Sequence, residues 1–350
     1  MPAEPAPPLK SPELQPDSKV TFRLRAPQAS EVSISGDWGP GAPLTHDETG
    51  VWSVTLGPLT PDIYGYSFHV DGLRILDPSN PQTKPMRTSN TSLLEIPGAK
   101  PSPCDPLPGS ARGTVHLHNY ESHALGTQRR MRVYTPANYE SQPDRTFSVL
   151  YLFHGSGDNE ATWTELGRAH VILDNLIAAG RVKPMVVVMT DGHATTPESP
   201  DSRNANLPAF AHDLIETVMP LIESRYRTVN DRDNRAIIGL SMGGCQSLYI
   251  GLNHLERFAW VGGMSSAVRE PERHLAKILP TAEAANTQLR LLWFACGKDD
   301  FLLPENQHLD ALFTEHQLKH EYIETVGTHT WPVWRRYLAE FLPKLFVDPR

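Results

Sequence analysis

The sequence predicts an α/β protein with a mostly parallel sheet and helices on both faces, preceded by a small all-β unit. From about residue 114 onward, apolar strand-like runs alternate with helix-compatible segments, which is typical of parallel strands covered by helices. The predicted strands cover 148–153, 184–190, 234–240, 258–263, 290–296 and 321–326. The predicted helices lie near 165–180, 208–226, 242–254, 305–318 and 332–345.

The all-β unit is predicted from a second pattern, in residues 18–97. Val20, Phe22 and Leu24 alternate with polar residues, and so do the apolar residues of the run 64–70. Turn signals lie between or after such runs, as at Asp71-Gly72. Short alternating strands with regular turns indicate a β-sandwich.

Proline-rich segments give the remaining boundaries. Residues 1–17 are predicted to be an extended or disordered leader, and 98–113 a stiff linker. The α/β domain is predicted to occupy 114–350.

Composition limits the classes of function. The chain has 350 residues and a formal net charge of −8, which argues against a nucleic-acid partner. No apolar stretch approaches the length of a membrane span. The cysteines are three, Cys104, Cys245 and Cys296, so at least one is unpaired, and their spacing is not that of metal ligands. Cys245 and Cys296 are expected to be buried small residues.

The most informative motif is the G-x-S-x-G pattern at 239–243, which follows an apolar run and precedes a helix-compatible run. This is the strand–turn–helix setting of a nucleophile elbow. The turn would lift the hydroxyl of Ser241 out of the sheet, and free N–H groups of the next helix would face a developing negative charge. Ser241 is therefore the predicted nucleophile.

A serine nucleophile requires a base and an orienting carboxylate, which follow it in chain order in this kind of fold. His329 stands in a loop after the last predicted strand and is the predicted base. Asp299 and Asp300 both follow the strand at 290–296. Spacing alone leaves the choice between them open.

The oxyanion hole is predicted to use the backbone N–H of Met242, the residue after the nucleophile. A second donor is expected from the loop after the strand at 148–153. The N–H of Ser156 is the preferred candidate, with Gly155 next, and His154 is expected to brace the loop.

With these motifs in place, the chain resembles the esterase D-type α/β-hydrolases, which include carbohydrate esterase family 1. The matching stretches are 151–155, 173–177, 183–188, 239–244, 297–300 and 327–334. The resemblance implies an acyl-enzyme route through Ser241 and His329 that needs neither a metal nor an organic cofactor, and it favours Asp300 as the acid. The front segment resembles early-set immunoglobulin-like modules related to the family 48 carbohydrate-binding modules.

Substrate contacts are predicted at three tryptophans. Trp163 and Trp331 lie just beyond the oxyanion and histidine loops and are expected to line a pocket, which the polar loop 191–208 would shape. Trp38 lies in a Gly/Pro loop and is the candidate for stacking on sugar, with packing against the catalytic domain as the rival interpretation. The pairs Arg129-Arg130 and Arg335-Arg336 are interpreted as solvated charges.

The predicted function is therefore a serine esterase that removes feruloyl or acetyl groups from plant cell-wall polysaccharide such as xylan. A catecholate-siderophore esterase is the alternative within enzymes, because that branch also carries an N-terminal β domain. The alternative from another class is a non-catalytic binding protein on a hydrolase scaffold. The expected location is secreted or periplasmic, with the cytoplasm left open, and no membrane or nucleic-acid partner is expected.

Overall fold

The computed structural model describes residues 8–99, 101–196 and 202–347. The first seven residues of the predicted leader and residues 197–201 of the predicted substrate loop lie outside this range. The chain divides into two compact units, and the division falls between Ser102 and Pro103.

The first unit consists of two antiparallel sheets around one buried cluster. One sheet has the order β1-β2-β6-β5; the other has the order β4-β3-β7-β8, and β9 also pairs with β7. The strands are β1 Glu13–Leu14, β2 Val20–Arg25, β3 Val32–Gly36, β4 Gly39–Pro43, β5 Thr45–His46, β6 Val51–Leu56, β7 Asp62–Val70, β8 Leu73–Ile75 and β9 Ser92–Ile96. Alternate residues of both sheets, Phe22 and Phe68 among them, enter the shared cluster.

The predicted leader is too long by several residues. Glu13 and Leu14 pair with β2, and buried Ser11 donates a 2.6 Å hydrogen bond to the Asp77 carboxylate. Backbone pairing and a buried polar contact therefore make this segment part of the first unit.

The predicted linker also carries fixed structure, because its second half packs within the second unit. Cys104 is buried, and the Asn175 amide donates to the carbonyls of Pro103 and Asp105, each at 2.9 Å. Gly113 N–H donates to Asp174 at 2.8 Å. Both acceptor and donor side chains belong to one helix, so this helix fixes the path of the segment.

The second unit is built on an eight-stranded sheet of order β10-β11-β13-β12-β14-β15-β16-β17. The strands are β10 Thr114–Ser122, β11 Thr127–Thr135, β12 Ser148–Phe153, β13 Met185–Thr190, β14 Arg235–Gly239, β15 Trp260–Met264, β16 Leu291–Gly297 and β17 Glu321–Thr325. β12 to β17 run parallel, whereas β10 and β11 form an antiparallel hairpin at one edge.

Helices flank this sheet, as the alternating pattern predicts. They are α1 Thr162–Glu165, α2 Ala169–Ala178, α3 Ser202–Asp213, α4 Met219–Arg225, α5 Met242–Asn253, α6 Pro271–His274, α7 Ala282–Gln288, α8 Leu303–Glu315 and α9 Trp331–Phe341. A π-helical turn, Leu214–Val218, joins α3 to α4. None of the helices in the described ranges has the length and apolar character needed to cross a bilayer.

Candidate active site

Ser241 lies at the sharp turn between β14 and α5, with φ 52° and ψ −114°. The turn needs glycine on both sides because backbone crowds it. A Cβ added at Gly239 would lie 2.4 Å from the carbonyl carbon of Gly243, and one at Gly243 would lie 2.5 Å from His154 O. The G-x-S-x-G pattern therefore reflects close backbone approach at this strand-to-helix turn.

His329 and Asp300 meet Ser241 at the carboxyl edge of the sheet. His329 Nε2 lies 3.0 Å from Ser241 Oγ, and His329 Nδ1 lies 2.9 and 3.0 Å from the two Asp300 carboxylate oxygens. Asp300 is 4 % exposed. Asp299 has an exposed side chain and touches this region through its backbone N–H, which donates to Gly327 O. Of the two candidate acids, Asp300 is the one in contact with the histidine.

Hydrogen bonds stabilise the ionised form of the Asp300 carboxylate. Burial opposes its charge, but the hydrogen bond and charge of His329 and hydrogen bonds from Leu302 N–H and the Ser265 hydroxyl outweigh burial. The pKa of Asp300 therefore lies below its usual value. An ionised carboxylate only accepts hydrogen bonds, so it fixes the proton of His329 on Nδ1 and leaves Nε2 free to accept from Ser241.

Two aromatic rings hold the His329 imidazole. The Trp334 ring meets it edge-on with centroids 4.8 Å apart, and the Trp334 Nε1 donates to Ser265 Oγ at 3.1 Å. The second ring is that of Phe301, whose centroid lies 4.5 Å from that of the imidazole; Phe301 is 70 % exposed. Sequence reasoning missed Phe301, although a large aromatic residue directly after the candidate acid in a loop was a usable signal.

The prediction that Trp163 and Trp331 line a pocket is wrong. Both side chains are buried, and their rings meet edge-on with centroids 5.0 Å apart. Trp163 Nε1 donates to Phe153 O at 2.9 Å. Their large apolar surfaces are removed from water behind the histidine loop, where they support Trp334, whose ring lies 5.4 Å from that of Trp331.

Trp38 also packs into a core, that of the first unit. Its half-buried indole lies 5.4 Å from the Phe22 ring and 6.2 Å from the Tyr66 ring. The ring covers Gly36, where an added Cβ would lie 2.5 Å from it. Trp38 was expected to offer an open surface for stacking on sugar, but its ring packs within its own unit.

The amides proposed for the oxyanion hole flank Ser241. Met242 begins α5, and a Cβ added at Gly155 would lie 3.4 Å from Ser241 Cβ, so the 154–157 loop runs beside the serine. Within the described ranges, neither Met242 N–H nor Ser156 N–H donates to another backbone group. Both amides therefore stay the candidate donors to an oxygen bound at Ser241.

His154 braces this loop from behind. Its Nδ1 lies 2.8 Å from Gly155 O, and its Nε2 lies 2.8 Å from Gly192 N. Only a neutral imidazole with its proton on Nδ1 can donate to the carbonyl and accept from the amide. Because a peptide is planar and trans, holding Gly155 O directs Ser156 N–H to the opposite side.

The segment after β13 is fixed by a buried arginine. The Arg129 guanidinium pairs with fully buried Asp213 at 3.1 Å and donates to the carbonyls of Asp191 and His193. Gln246 on α5 donates to Gly192 O at 2.7 Å. The interpretation of Arg129 as a solvated charge is wrong, as it is for Arg335, which is buried and donates to Leu166 O. When two arginines are adjacent in the sequence, the sequence alone does not show which side chain points into the protein.

The cysteines are free thiols. Burial raises the pKa of Cys245 to about 12, and burial together with the Asp300 charge raises the pKa of Cys296 to about 12. Neither is a thiolate at neutral pH, so neither competes with Ser241 as a nucleophile. In the described ranges, no three His, Cys, Asp or Glu side chains converge as a metal site would require.

The parallel sheet, the serine turn and the Ser–His–Asp contacts define the class of α/β-hydrolases. The model of the family described as "Putative esterase" matches residues 122–345, more than half of the chain. The chain belongs to this esterase family.

Similar proteins include an endo-1,4-beta-xylanase/feruloyl esterase of Xylanibacter ruminicola, which is 30% identical over an alignment of 350 positions that covers 96% of this chain and 46% of that protein. The chain thus spans less than half the length of the curated relatives that it matches first. A ferulic acid esterase of Anaeromyces mucronatus has a similar structure, with a TM-score of 0.59 and 25% identity over 69% of this chain and 94% of that one. The enterobactin esterase of Shigella flexneri reaches a TM-score of 0.71 at 22% identity over 94% and 93% of the two chains.

Proposed function

We propose that this protein is a serine carboxylic-ester hydrolase that removes feruloyl or acetyl groups from plant cell-wall polysaccharide. The observation that carries this proposal is the continuous contact from Ser241 Oγ through His329 to Asp300, at 3.0 and 2.9 Å. Seryl attack needs this arrangement, because a serine hydroxyl is a weak nucleophile until a neighbouring base accepts its proton.

The reaction proceeds in two halves. Ser241 Oγ attacks the ester carbonyl carbon while its proton moves to His329 Nε2, and the amides of Met242 and Ser156 stabilise the oxyanion. The bond to the alcohol oxygen then breaks, and His329 gives the proton to that oxygen. Water, deprotonated by His329, attacks the acyl-enzyme and releases the acid, and the proton returns to Ser241.

The acyl group is proposed from the relatives. The Xylanibacter relative carries feruloyl esterase in its name, and the Anaeromyces structure is a ferulic acid esterase. Acetyl esters stay within the proposal, because the geometry of a Ser–His–Asp site does not fix the acyl group.

The first unit is proposed to be an early-set immunoglobulin-like module related to the family 48 carbohydrate-binding modules. Its two antiparallel sheets with a shared core support this assignment. A polysaccharide substrate would be met outside the cell, so we propose a secreted or periplasmic location.

A catecholate-siderophore esterase is the second candidate. The Shigella enterobactin esterase resembles both units in fold, since the match covers 94% of this chain. At 22% identity this likeness concerns the fold alone.

A panel of acetyl, feruloyl and catecholate esters tests the proposal, with Ser241→Ala as the blank. We expect release of ferulate or acetate from esterified xylan fragments at rates well above the blank. Preferred hydrolysis of a catecholate trilactone would replace the proposal by the second candidate. A well-folded protein without activity on any ester would reject an esterase function.

A further inference from the structure

A solvent-open cavity of about 580 Å³ lies within the second unit and adjoins the proposed triad through one lining residue, Phe301, whose ring contacts His329. Its apolar lining includes Val268, Pro271, Phe301 and Pro304, and its polar lining includes Arg269, Glu270 and Glu305. Val268, Arg269 and Glu270 come from the loop after β15, Phe301 comes from the loop after β16, and the remaining residues belong to the first turns of α6 and α8. Ligand sites of small molecules have volumes in this range.

The cavity lies on one particular side of the serine. The oxyanion loop follows β12, which neighbours the serine strand β14 on one side, whereas β15 and β16 follow on the other. Ala267 N–H donates to Ser241 O at 3.0 Å, so the loop that carries Val268 adjoins the nucleophile. Phe301 adjoins the base, with its ring 4.5 Å from the His329 imidazole.

This position matches one part of an ester. His329 Nε2 must reach the alcohol oxygen to protonate it, whereas the carbonyl oxygen must point to the Ser156 and Met242 amides. The alcohol moiety therefore leaves on the histidine side, where Phe301 and the cavity lie. The carbonyl oxygen occupies the opposite side, next to the 154–157 loop.

The lining chemistry suits a sugar. Phe301 is 70 % exposed, and an exposed ring offers an apolar surface for the C–H face of a pyranose or furanose. Glu305 supplies a carboxylate that accepts hydrogen bonds from hydroxyl groups, whereas the Glu270 carboxylate pairs with Arg273 at 3.1 Å and the Glu272 carboxylate contacts His308 at 2.7 Å. Outside these two contacts, the lining carries one guanidinium, that of Arg269, and one carboxylate, that of Glu305, so it offers no net positive charge to attract an anionic sugar such as a uronate.

We infer that this cavity is the subsite for the alcohol moiety and that it takes a neutral sugar ring stacked on Phe301. The inference rests on the proposed esterase function and adds the chemical class of the leaving group. Phe301 and Glu305 are then residues that determine specificity, and the cavity distinguishes a sugar ester from a simple alkyl ester of the same acid.

The test compares kcat/KM for a feruloylated neutral oligosaccharide with kcat/KM for methyl ferulate, because the two share the acyl group. The wild-type protein should prefer the oligosaccharide ester. Phe301→Ala should lower this preference about five- to tenfold, the value of one lost ring contact. Phe301→Trp, which keeps an aromatic surface, should retain most of it.

Two further variants keep the result interpretable. Val326→Ala removes an equally exposed apolar side chain from the loop that carries His329, outside the cavity lining, and should leave the preference unchanged. Glu305→Ala removes a hydrogen-bond acceptor and should lower the preference about threefold or more. Melting temperatures show that each variant is folded.

The outcomes separate the inference from the function. If the wild-type protein cleaves both esters without preference, or if Phe301→Ala lowers both rates equally, the cavity does not bind the alcohol moiety and the inference is wrong. A wild-type preference for a uronate ester over a neutral sugar ester would overturn the neutral-sugar assignment. If the wild-type protein cleaves neither ester, the proposed function itself is wrong.

Discussion

Ser241 occupies a backbone conformation that residues other than glycine rarely adopt, at φ 52° and ψ −114°. Such strain costs about 1–3 kcal/mol and persists only where the surroundings fix it. Here Ser241 N–H donates to Met264 O at 2.8 Å, and Ser241 O accepts from Cys245 and Ala267. These backbone contacts compensate for the strain and hold the hydroxyl toward His329.

The two adjacent aspartates provide the first prediction. Asp300→Asn should lower kcat by about 10⁴, because an amide no longer holds the Nδ1 tautomer of His329. Asp299→Asn should change kcat by no more than a few fold, since its side chain is exposed. The two variants are assayed side by side on one ester. A dead Asp299→Asn beside an active Asp300→Asn would reverse the assignment.

The lowered pKa of Asp300 gives a prediction about pH and stability. A carboxyl group whose pKa is lower in the folded than in the unfolded state stabilises the fold above its unfolded pKa of about 3.9. This contribution is lost as the pH falls through the folded pKa. The free energy of unfolding of wild type minus that of Asp300→Asn should therefore shrink as the pH falls below about 4.

Denaturant titrations at several pH values measure that difference. Asp299→Asn is the matched control and should show no comparable dependence. A difference that grows as the pH falls would mean that the Asp300 pKa is raised, contrary to its hydrogen bonds.

At the scale of elements, the central strands are the part that sequence predicts best. β12 is predicted at 148–153 and observed at Ser148–Phe153, because a strand buried on both faces is a continuous apolar run bounded by polar residues. The serine turn is similarly visible, since its crowding leaves glycine on both sides of Ser241.

The edge hairpin of β10 and β11 could not be predicted in this way. β10 carries His116, His118 and Glu121 and is mostly exposed or half-buried, so it lacks an apolar run. Pro208, taken as the end of a loop, lies inside α3, so the expected 191–208 loop ends earlier. Tertiary contacts such as the Asn206 amide to Gly192 O, at 3.0 Å, override the local proline signal.

The candidate site likewise has residues that the sequence predicts and residues that it does not. Ser241 and His329 follow from strand ends, because side chains after parallel strands share one edge of the sheet. Strand ends alone leave Asp299 and Asp300 open, and the family resemblance is what favours Asp300.

The predictions for the aromatic residues were wrong because the side chain of a tryptophan near a site can point either into the core or into a pocket. The position of Phe301 next to the acid marks it as a candidate, but nothing local in the sequence shows that the Trp163 ring is buried and the Phe301 ring exposed.

The prediction at the scale of elements concerns the 154–157 loop and the contact by which His154 holds it. His154→Leu should lower kcat about ten- to a hundredfold, because Gly155 O loses its donor and the oxyanion amide of Ser156 loses its orientation. His154→Gln, which can still donate or accept, should restore part of the rate. Exposed His123→Leu serves as the control. Unchanged kcat in a folded His154→Leu protein would exclude the bracing role.

At the scale of the whole molecule, each unit has its own core. The buried cluster of the first unit extends from Val20 to Ile96, and the main cluster of the second unit begins at Tyr120. Separate cores allow separate folding. The sequence predicted this division from its change in strand pattern and its proline-rich segment.

The fragment Pro103–Arg350 should therefore fold cooperatively by itself and hydrolyse p-nitrophenyl acetate within a few fold of the full chain. Circular dichroism and steady-state kinetics measure both properties. If the first unit is a carbohydrate-binding module, the fragment should bind insoluble xylan more weakly than the full chain. A fragment that does not fold would show that the second unit depends on the first.

The most direct test of the central claim is to trap the acyl group on the protein. Wild-type protein is acid-quenched during turnover of a feruloyl or acetyl ester, and its peptides are analysed by mass spectrometry. The account predicts one added acyl group on the peptide that contains Ser241, and no adduct or turnover with Ser241→Ala. Ester hydrolysis that persists in Ser241→Ala, or an acyl group carried by another residue, would contradict it.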